Sequence, residues 1–317
     1  MAAIADTAAP AESAVAYFEG EATAPEWLEK AAGQVEAFVA ASDEVLTVVV
    51  TSGGTMVPLE RRTVRFVDNF STGTRGSRSA EAFLAAGYRV VFLHRAGSKR
   101  PYLSQMSMEA LFDADGPGAL VETGDGSLLV PNESPVVACV RARRAAKASG
   151  MLLEIPFVTV EDYLWLLRRV AQCVESLGAR AMMYLAAAVS DYYVPTAAMP
   201  EHKIQSSAEA LVLELEPVPK MLGALHAEWA PAALVVSFKL ETDAALVEAK
   251  ARRAIAKYGV NLVVANRLDN RNELVHVVHA DASRPVVDVS PGAPGEPIEI
   301  QLVQTLKAEH EAFVRNS

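Results

Sequence analysis

The sequence predicts an α/β fold in which a mostly parallel central sheet lies between two layers of helices. Uncharged apolar runs such as Leu46–Val50 and Ala181–Ala188 are typical of parallel strands that are buried on both faces. These runs alternate with segments whose apolar residues recur at helical spacing, such as Val160–Leu177. Regular alternation of this kind favours one α/β domain, and 317 residues, 51% of them hydrophobic, are enough for a large core.

The predicted elements follow one another in a regular order. Helices are predicted at Pro25–Ala41, Ser77–Ala86, Ser134–Gly150, Val160–Leu177, Pro219–Trp229, Asp243–Tyr258 and Gln301–Val314. Strands are predicted at Leu46–Val50, Tyr88–Leu93, Leu152–Val158, Ala181–Ala188, Leu211–Leu215, Ala233–Leu240 and Leu262–Asn266. Gly87 and Gly259 end two of the helices, as glycine commonly does. The alternating segments Glu273–His279 and Pro285–Val289 indicate antiparallel strands added at the end of the sheet.

Two segments lie outside this pattern. Residues 1–24 are rich in alanine and show little periodicity, so we expect a flexible N-terminal arm. Residues 25–317 then form the single domain. The stretch 97–131, with its clusters of Gly and Asp, breaks the alternation and is interpreted as an insertion.

Composition excludes several classes of function. A net charge of −10 and a pI near 5.2 argue against a broad nucleic-acid surface, although a local basic pocket for a small phosphorylated ligand is compatible with them. Cys139 and Cys173 form no CxxC pair, which is typical of a reducing compartment. The sequence shows no secretory signal and no apolar run of membrane-spanning length. We therefore expect a cytoplasmic protein that binds neither nucleic acids nor membranes.

Polar loops follow two of the buried strands, and they carry most of the candidate residues. The first strand runs into Gly53-Gly54 and then into DNFSTGTRG (Asp68–Gly76), while Ala181–Ala188 runs into Ser190–Ser207. Open α/β sheets present their chemistry at the carboxyl edge of the strands, where such loops meet. We therefore expect the functional site at this edge.

The glycines and hydroxyls of the first loop suit an anion. Glycine at position 53 lets the backbone approach a phosphate or sugar, although a simple tight turn explains it equally well. Ser71, Gly73 and Gly76 come directly before or at the start of a helix, whose N–H groups attract anions. The pattern is neither a Walker A motif nor a GxGxxG fingerprint.

Single polar residues in these loops have a functional and a structural interpretation. Asn69 is suited to a carbonyl or phosphoryl oxygen, but an Asx-turn is the simpler explanation. Asp191 is suited to a hydroxyl or amide of a ligand, or it caps the next turn. Lys203 offers a compact charge for phosphate or carboxylate, although most lysines face solvent.

The later strands add two further candidates for a nucleotide. Phe238 is suited to stacking on a base, with core packing as the alternative, and Asn266 is suited to a base or ribose. His276 and His279 point to opposite faces of a strand, so no metal-ligand set is predicted.

The order of these motifs resembles the phosphopantothenate–cysteine ligases of stand-alone eukaryotic type. The resemblance extends from about Leu46 to the C-terminus. Thr72 replaces the serine that is usual in this loop, and Met56 stands where related animal proteins often have lysine. The motifs that carry the resemblance are SGGT, VPLE, VRFVDNFSTG, AEAFLAAGY, YLAAAVSDYYVP, MPEHKIQSS, VSFKLET and VVAN.

The resemblance implies a Rossmann-like fold, a homodimer formed through added antiparallel strands, and a two-step ligation. It implies that 4′-phosphopantothenate reacts with a nucleotide, ATP in eukaryotic members and CTP in bacterial ones, and that L-cysteine then displaces the nucleotide monophosphate. Mg²⁺ is expected to neutralise the phosphates. The implied nucleotide site is Gly53, Ser71, Gly73, Gly76, Phe238 and Asn266. The implied phosphopantothenate site is Asn69, Ala187, Ala188 and Asp191, and the implied catalytic residues are Asn69, Asp191 and Lys203, with Lys203 on an active-site flap.

Two other classes of protein stay open on the residues alone. A nicotinamide-dependent oxidoreductase on a similar sheet is disfavoured, because no GxGxxG follows a strand and no tyrosine precedes a lysine by four residues. A catalytically silent nucleotide-binding subunit is only weakly disfavoured, through the presence of Asn69, Asp191 and Lys203.

Overall fold

The computed structural model describes residues 10–20, 24–42, 44–104, 111–112, 119–132, 134–206 and 210–317. Its helices are α1 Pro10–Gly20, α2 Leu28–Ala40, α3 Thr74–Ala85, α4 Pro135–Ala148, α5 Val160–Val174, α6 Val247–Tyr258 and α7 Ile298–Asn316. Its strands are β1 Thr47–Ser52, β2 Met56–Pro58, β3 Phe66–Asp68, β4 Arg89–Arg95, β5 Val121–Glu122, β6 Leu128–Leu129, β7 Leu152–Phe157, β8 Ala181–Leu185, β9 Tyr192–Tyr193, β10 Glu216–Pro217, β11 Leu234–Glu241, β12 Leu262–Arg267, β13 Val275–His279 and β14 Val287–Val289. Shorter helical segments lie at Glu175–Arg180, Leu222–Ala224, Leu225–Trp229 and Ala244–Leu246.

The described part of the chain forms an eight-stranded central sheet in the order β14-β13-β12-β11-β8-β1-β4-β7. The strands from β12 to β7 are parallel, and β13 and β14 continue the sheet in antiparallel pairing. The prediction of a mostly parallel sheet with an antiparallel addition is therefore confirmed. All six residues of β1 are buried, as its uncharged sequence predicts for a strand covered on both faces.

Two hydrophobic cores cover the two faces of this sheet. One core packs α1, α2, α5 and α6 against side chains such as Val49 and Met183. The other packs α3 and α7 against the alternate side chains, such as Val50 and Tyr184. Successive strand residues point to opposite faces, so each buried strand contributes to both cores. The three-layer arrangement predicted from the sequence is confirmed.

The N-terminal segment differs from the expected flexible arm. Residues 10–20 form α1, with Tyr17 and Phe18 buried. The ring of Phe18 contacts Trp165 with ring centroids 4.7 Å apart and Trp229 at 5.8 Å. The packing of Tyr17 and Phe18 thus holds α1 against the domain, although the alanine-rich sequence of this segment shows little helical periodicity. Residues 1–9 and 21–23 lie outside the described residues.

The structure also changes the description of two other segments, residues 211–215 and residues 97–131. The sequence predicts a strand at residues 211–215, but they form none and are exposed. Among the described residues of this region, strand pairing is limited to β10, which pairs with β9. Within residues 97–131, the described part contains the short hairpin β5–β6. Residues 105–110 and 113–118 of this insertion lie outside the described residues.

The antiparallel strands at the end of the sheet are covered within the chain itself. Val275, Val277 and Val289 belong to the core beneath α7, and Val278 belongs to the opposite core. These strands therefore complete the sheet within the chain, and their expected part in a dimer stays a prediction. Among the described helices, none is long and apolar enough to cross a membrane.

Replacing Phe18 by alanine tests whether α1 is a structural part of the domain. We expect Phe18→Ala to lower the free energy of unfolding by about 3 kcal/mol, because it removes a buried ring from between two tryptophans. Val15→Ala, on the exposed side of the same helix, is the matched control and is expected to change it by less than about 0.5 kcal/mol. Chemical denaturation of both variants measures the difference, and equal effects would show that α1 contributes no packing.

Candidate active site

The candidate residues lie at the point where the strand order of the sheet reverses. From β1 the chain proceeds to β4 and β7 on one side, and then returns to β8 on the other side of β1. The loops after β1 and β8 therefore leave the sheet edge in different directions and open a crevice between them. In open α/β sheets, ligands bind in the crevice at such a switch point.

Backbone hydrogen bonds form the floor of this crevice. The parallel pairing of β1 and β8 continues beyond the strand ends as a bridge between Gly54 and Ala188. The amide of Ala188 donates to the carbonyl of Gly53 at 2.8 Å, and the amide of Thr55 donates to the carbonyl of Ala188 at 3.2 Å. The structure thus brings the predicted Gly53 and Ala188 together directly.

Glycine is required at both positions of the Gly53-Gly54 pair. Gly53 has a φ of +90°, and a Cβ there would lie 2.6 Å from the Cβ of Arg95. A Cβ at Gly54 would collide with the backbone carbonyl of Asn69. The close approach of neighbouring loops therefore explains both glycines without a ligand.

Threonine hydroxyls fix the loop after β8. Thr51 Oγ1 accepts a hydrogen bond from the amide of Ala187 at 3.1 Å, and Thr55 Oγ1 accepts one from the amide of Ser190 at 2.9 Å. Both threonines are fully buried. This role was not predicted from the sequence. The one feature of the sequence that points to it is the presence of hydroxyl side chains at the end of an otherwise apolar strand.

Asn69 connects the two loops instead of forming a local turn. Its amide N–H donates to the carbonyl of Thr55 at 3.3 Å, and its side-chain Nδ2 donates to the carbonyl of Val189 at 3.1 Å. The side chain therefore spans the crevice to a residue 120 positions away. It thus holds the two loops together in place of the expected Asx turn, and its role in the reaction stays a prediction.

The N-terminus of α3 presents free backbone donors at the same edge. Gly73 precedes the helix with a φ of +76°, and no side chain in the described part of the chain caps the first turn. The first N–H groups of a helix have no partner within the helix, so they are available to an anion. Ser71 Oγ accepts from the amide of Gly73 at 3.4 Å, and Gly76 lies in the first turn of α3. The predicted Ser71 and Gly73 thus lie together at the N-terminus of α3, whereas Gly76 is buried against Ser52. We refer to this helix N-terminus, with Ser71 and Gly73, as the anion-binding surface expected from the sequence.

The turn after β4 supports this surface from the side. The amide of Lys99 donates to the carbonyl of Thr72 at 3.0 Å. Arg95 contacts Asp68 at 2.9 Å and the carbonyl of Gly54 at 3.3 Å through Nη1. The start of the 97–131 segment is therefore in contact with the loop of Ser71, and no local sequence pattern predicts this contact.

Phe238 and Asn266 lie on the α3 side of the sheet. Phe238 packs edge-on against Tyr184 with ring centroids 4.9 Å apart, and it belongs to the same core as Val264. Asn266 follows Val264 by two residues, so the two side chains of β12 point to the same face. Burial raises the pKa of Tyr184, which keeps this hydroxyl neutral.

Asp191 has an ion-pair partner that sequence analysis missed. Lys220 Nζ lies 2.5 Å from Asp191 Oδ1. The pairing of β9 with β10 and the bond from the amide of Val218 to the carbonyl of Asp191, 2.9 Å, bring the two residues together. The sequence does not predict this ion pair, because Lys220 lies 29 positions after Asp191 in a separate segment. The carboxylate is exposed, so it is accessible to a ligand.

Lys203 lies on an exposed loop that is anchored at Glu60. The buried carboxylate of Glu60 accepts hydrogen bonds from the amide of Arg65 at 2.9 Å and from the amide of Ile204 at 3.3 Å. Arg65 Nη1 also donates to the carbonyl of Ile204 at 2.8 Å. The amide of Arg65 is the main cause that lowers the pKa of Glu60. The residue next to Lys203 is therefore fixed, while the lysine itself faces solvent.

The structure thus joins some predicted residues and leaves others apart. Gly53, Asn69, Ala187 and Ala188 meet at the crevice floor through the bonds described above. Asp191 and Lys203 project from separate exposed loops. Among the described residues, no group of three or more His, Cys, Asp or Glu side chains is arranged to hold a metal ion.

Comparison with known proteins gives a consistent result. Residues 152–283 match the family model of the DNA/pantothenate metabolism flavoprotein C-terminal domain. The chain is 47% identical over 270 residues to a human phosphopantothenate–cysteine ligase, covering 84% of this chain and 87% of that protein. It is 38% identical over 295 residues to the ligase CAB2 of Saccharomyces cerevisiae, covering 85% and 78%.

A solved structure extends the likeness to the fold. A Cab2 mutant in complex with phosphopantothenate-cysteine superposes with a TM-score of 0.84 at 35% sequence identity, covering 95% of this chain and 98% of that one. Identity at this level over most of both chains, together with the shared fold, shows that the chain belongs to the phosphopantothenate–cysteine ligase family of enzymes.

Proposed function

We propose that this chain ligates 4′-phosphopantothenate to L-cysteine in coenzyme A biosynthesis, with ATP as the nucleotide. The observation that carries the proposal is the crevice between β1 and β8, where Asn69, Ala187 and Ala188 lie beside the free N-terminus of α3. One side of this crevice offers donors to phosphates, and the other offers backbone groups and an amide to a carboxylate substrate. Family membership supplies the class of reaction.

In the proposed first step, the carboxylate of 4′-phosphopantothenate attacks the α-phosphorus of ATP. A new oxygen–phosphorus bond forms, the bond to the β-phosphate oxygen breaks, and pyrophosphate leaves. The reaction brings like charges together, so preorganised donors must stabilise the transition state. The first-turn N–H groups of α3 and the Asn69 amide are the donors that the site provides.

In the proposed second step, the amine of cysteine attacks the acyl carbon of the adenylate. A carbon–nitrogen bond forms, AMP leaves with the bonding electrons, and the amine loses a proton. Neither step needs a covalent enzyme nucleophile, since orientation of the reactants supplies much of the rate. We assign Lys203 to this step because its exposed charge, on a loop anchored by Glu60, is free to approach an anionic group.

The residues present are compatible with Mg²⁺ as a companion of the nucleotide. Mg²⁺ is usually held by substrate phosphates, water and one or two carboxylates, so it requires no cluster of protein ligands. Asp68 and Asp191 are the carboxylates at this edge that would hold it. When bound, the ion would neutralise phosphate charge during adenylation.

The exposed surface also favours a homodimer. Val64, Phe66, Val67 and Phe70 are exposed apolar residues within one short segment on and beside the β2–β3 hairpin, which we call the apolar patch, and Phe70 is 89% exposed. A concentration of exposed apolar side chains marks interaction sites in many proteins. Arg65 connects this hairpin to the loop of Lys203, so a partner on the patch would lie near the active-site loops. The occupant we propose is a second copy of this chain.

The order of the two steps can be tested without cysteine. With ATP and 4′-phosphopantothenate alone, we expect pyrophosphate release in about one equivalent per site and an enzyme-bound acyl-adenylate, because adenylation precedes amide formation. Mass spectrometry of the quenched enzyme and a pyrophosphate assay measure both products. Cleavage to ADP and phosphate would instead indicate an acyl-phosphate intermediate, and absence of any nucleotide turnover with cysteine added would contradict the proposed function.

Asn69 and Lys203 are expected to act on different steps. Asn69→Ala should slow adenylation on the order of 10²-fold, because it removes an oriented donor. Lys203→Gln should leave adenylation near the wild-type rate and cause the intermediate to accumulate after cysteine is added. Single-turnover quantification of intermediate and product separates these outcomes.

The exposed Lys30 of α2 provides the control for charge removal, since Lys30→Gln should change neither step. Arginine at position 203 should restore the second step poorly, because its planar fork differs from a point charge. Equal slowing of both steps by Lys203→Gln would show that Lys203 binds the nucleotide or supports the loop.

The proposed dimer is tested by placing a charge on the apolar patch. Phe66→Asp should convert the dimer into a monomer at micromolar concentration, because a carboxylate would lose its hydration at the interface. Leu128→Asp, at an equally exposed position on the β5–β6 hairpin, should leave the dimer intact. Analytical ultracentrifugation measures both. A wild-type chain that is monomeric and fully active would contradict the proposal.

A further inference from the structure

An ion pair joins α3 to α7 beside the anion-binding surface. Arg75, the second residue of α3, donates from Nη1 to Oε1 of Glu299 at 2.9 Å. Glu299 is the second residue of α7. Only 16% of the Arg75 side chain and 3% of the Glu299 side chain are exposed. This pair is therefore largely removed from water, in contrast to an ordinary surface ion pair.

The same guanidinium also reaches a third segment. Nη2 of Arg75 donates to the backbone carbonyl of Arg271, in the turn that follows β12. β12 carries Asn266 near its end. The planar fork of arginine suits two acceptors at once, which a lysine ammonium on a single stem does not hold in the same way. Arg75 thus ties the loop of Ser71 and Gly73 to the strand end of Asn266.

Two features work against a purely stabilising role for this pair. A positive charge in the first turn of a helix opposes the helix dipole, and Arg75 occupies that position. Oε2 of Glu299 is buried and has no hydrogen-bond partner among the described residues. Apolar residues of similar volume often replace a buried ion pair without loss of stability. Local choices that act against stability are typical of functional sites.

The residues around Arg75 contact a residue that is assigned to the nucleotide site, Phe238. The hydroxyl of Tyr184 bonds to Ser79 of α3 at 2.7 Å, and its ring packs against Phe238. Burial raises the pKa of this hydroxyl, and the nearby charge of Arg75 acts in the opposite direction. Arg75 therefore lies close to the base side of the crevice as well as to the phosphate side.

We propose that Arg75, anchored by Glu299, is a nucleotide-positioning residue that sets the separation between the α3 loop and the end of β12. In this role it holds the phosphate-binding and base-binding groups in register, and it leaves the phosphopantothenate side at Asn69 and Ala187 unaffected. The inference rests on the proposed function, because the nucleotide assignments of Ser71, Gly73, Phe238 and Asn266 belong to it.

The test separates stability from nucleotide affinity with a double variant. Arg75→Met and Glu299→Met should each lower the melting temperature, because each leaves one buried charge without its partner. The variant with both substitutions should recover most of the melting temperature. Its affinity for ATP should still be lowered about tenfold, since the connection between the two loops remains absent. Calorimetric titration of ATP and thermal unfolding measure the two quantities, and the KM for 4′-phosphopantothenate should not change.

Arg75→Lys keeps the charge and should fold even if the methionine variants do not. It should bind ATP more weakly than the wild type, because one ammonium replaces the two-pronged contact. Arg252→Met, which breaks the exposed pair with Glu248 on α6, is the control and should not change ATP affinity. Full recovery of ATP affinity in the double variant, or unchanged affinity in Arg75→Lys, would overturn the inference. A wild-type chain that does not bind ATP would instead overturn the proposed function.

Discussion

The site depends on the parallel pairing of β1 with β8, which continues past the ends of both strands. Each strand is buried on both faces, so its position in the sheet is fixed by the two cores. The bonds between Gly53, Thr55 and Ala188 carry that fixed geometry into the loops. Loops that would otherwise be independent therefore emerge from the sheet edge at a defined separation.

The local electrostatics of this edge differ from those of the whole chain. The protein carries a net charge of −10, which repels anions at long range. At the crevice, the first-turn N–H groups of α3 present partial positive charge at short range, while Lys220 and Arg95 are paired with Asp191 and Asp68. Screening by salt weakens the long-range repulsion more than it weakens these short-range contacts. A phosphorylated ligand at this edge would thus be recognised by short-range contacts and not by the net charge of the chain.

The sequence predicted the elements better than the contacts between them. β1, β8, β11 and β12 were predictable because continuous apolar runs are characteristic of strands buried on both faces. The bond from Asn69 to Val189 joins residues 120 positions apart, and no local pattern encodes such a contact. Lys220 and Glu299 were not predicted for the same reason, because their partners Asp191 and Arg75 lie in distant segments of the chain. The motifs of the family predicted which loops matter, but their sequence order does not show how the loops are held.

The first helix has a practical consequence for work with this protein. Tyr17 of α1 packs against Tyr193 with ring centroids 5.7 Å apart, and Tyr193 follows Asp191 by two residues in the loop after β8. The helix α1 is thereby in contact with the segment that carries Asp191. A variant that lacks α1 would lose this ring contact as well as the packing of Phe18 against Trp165. Residues 10–20 should therefore be retained in any shortened form that is used for kinetic work.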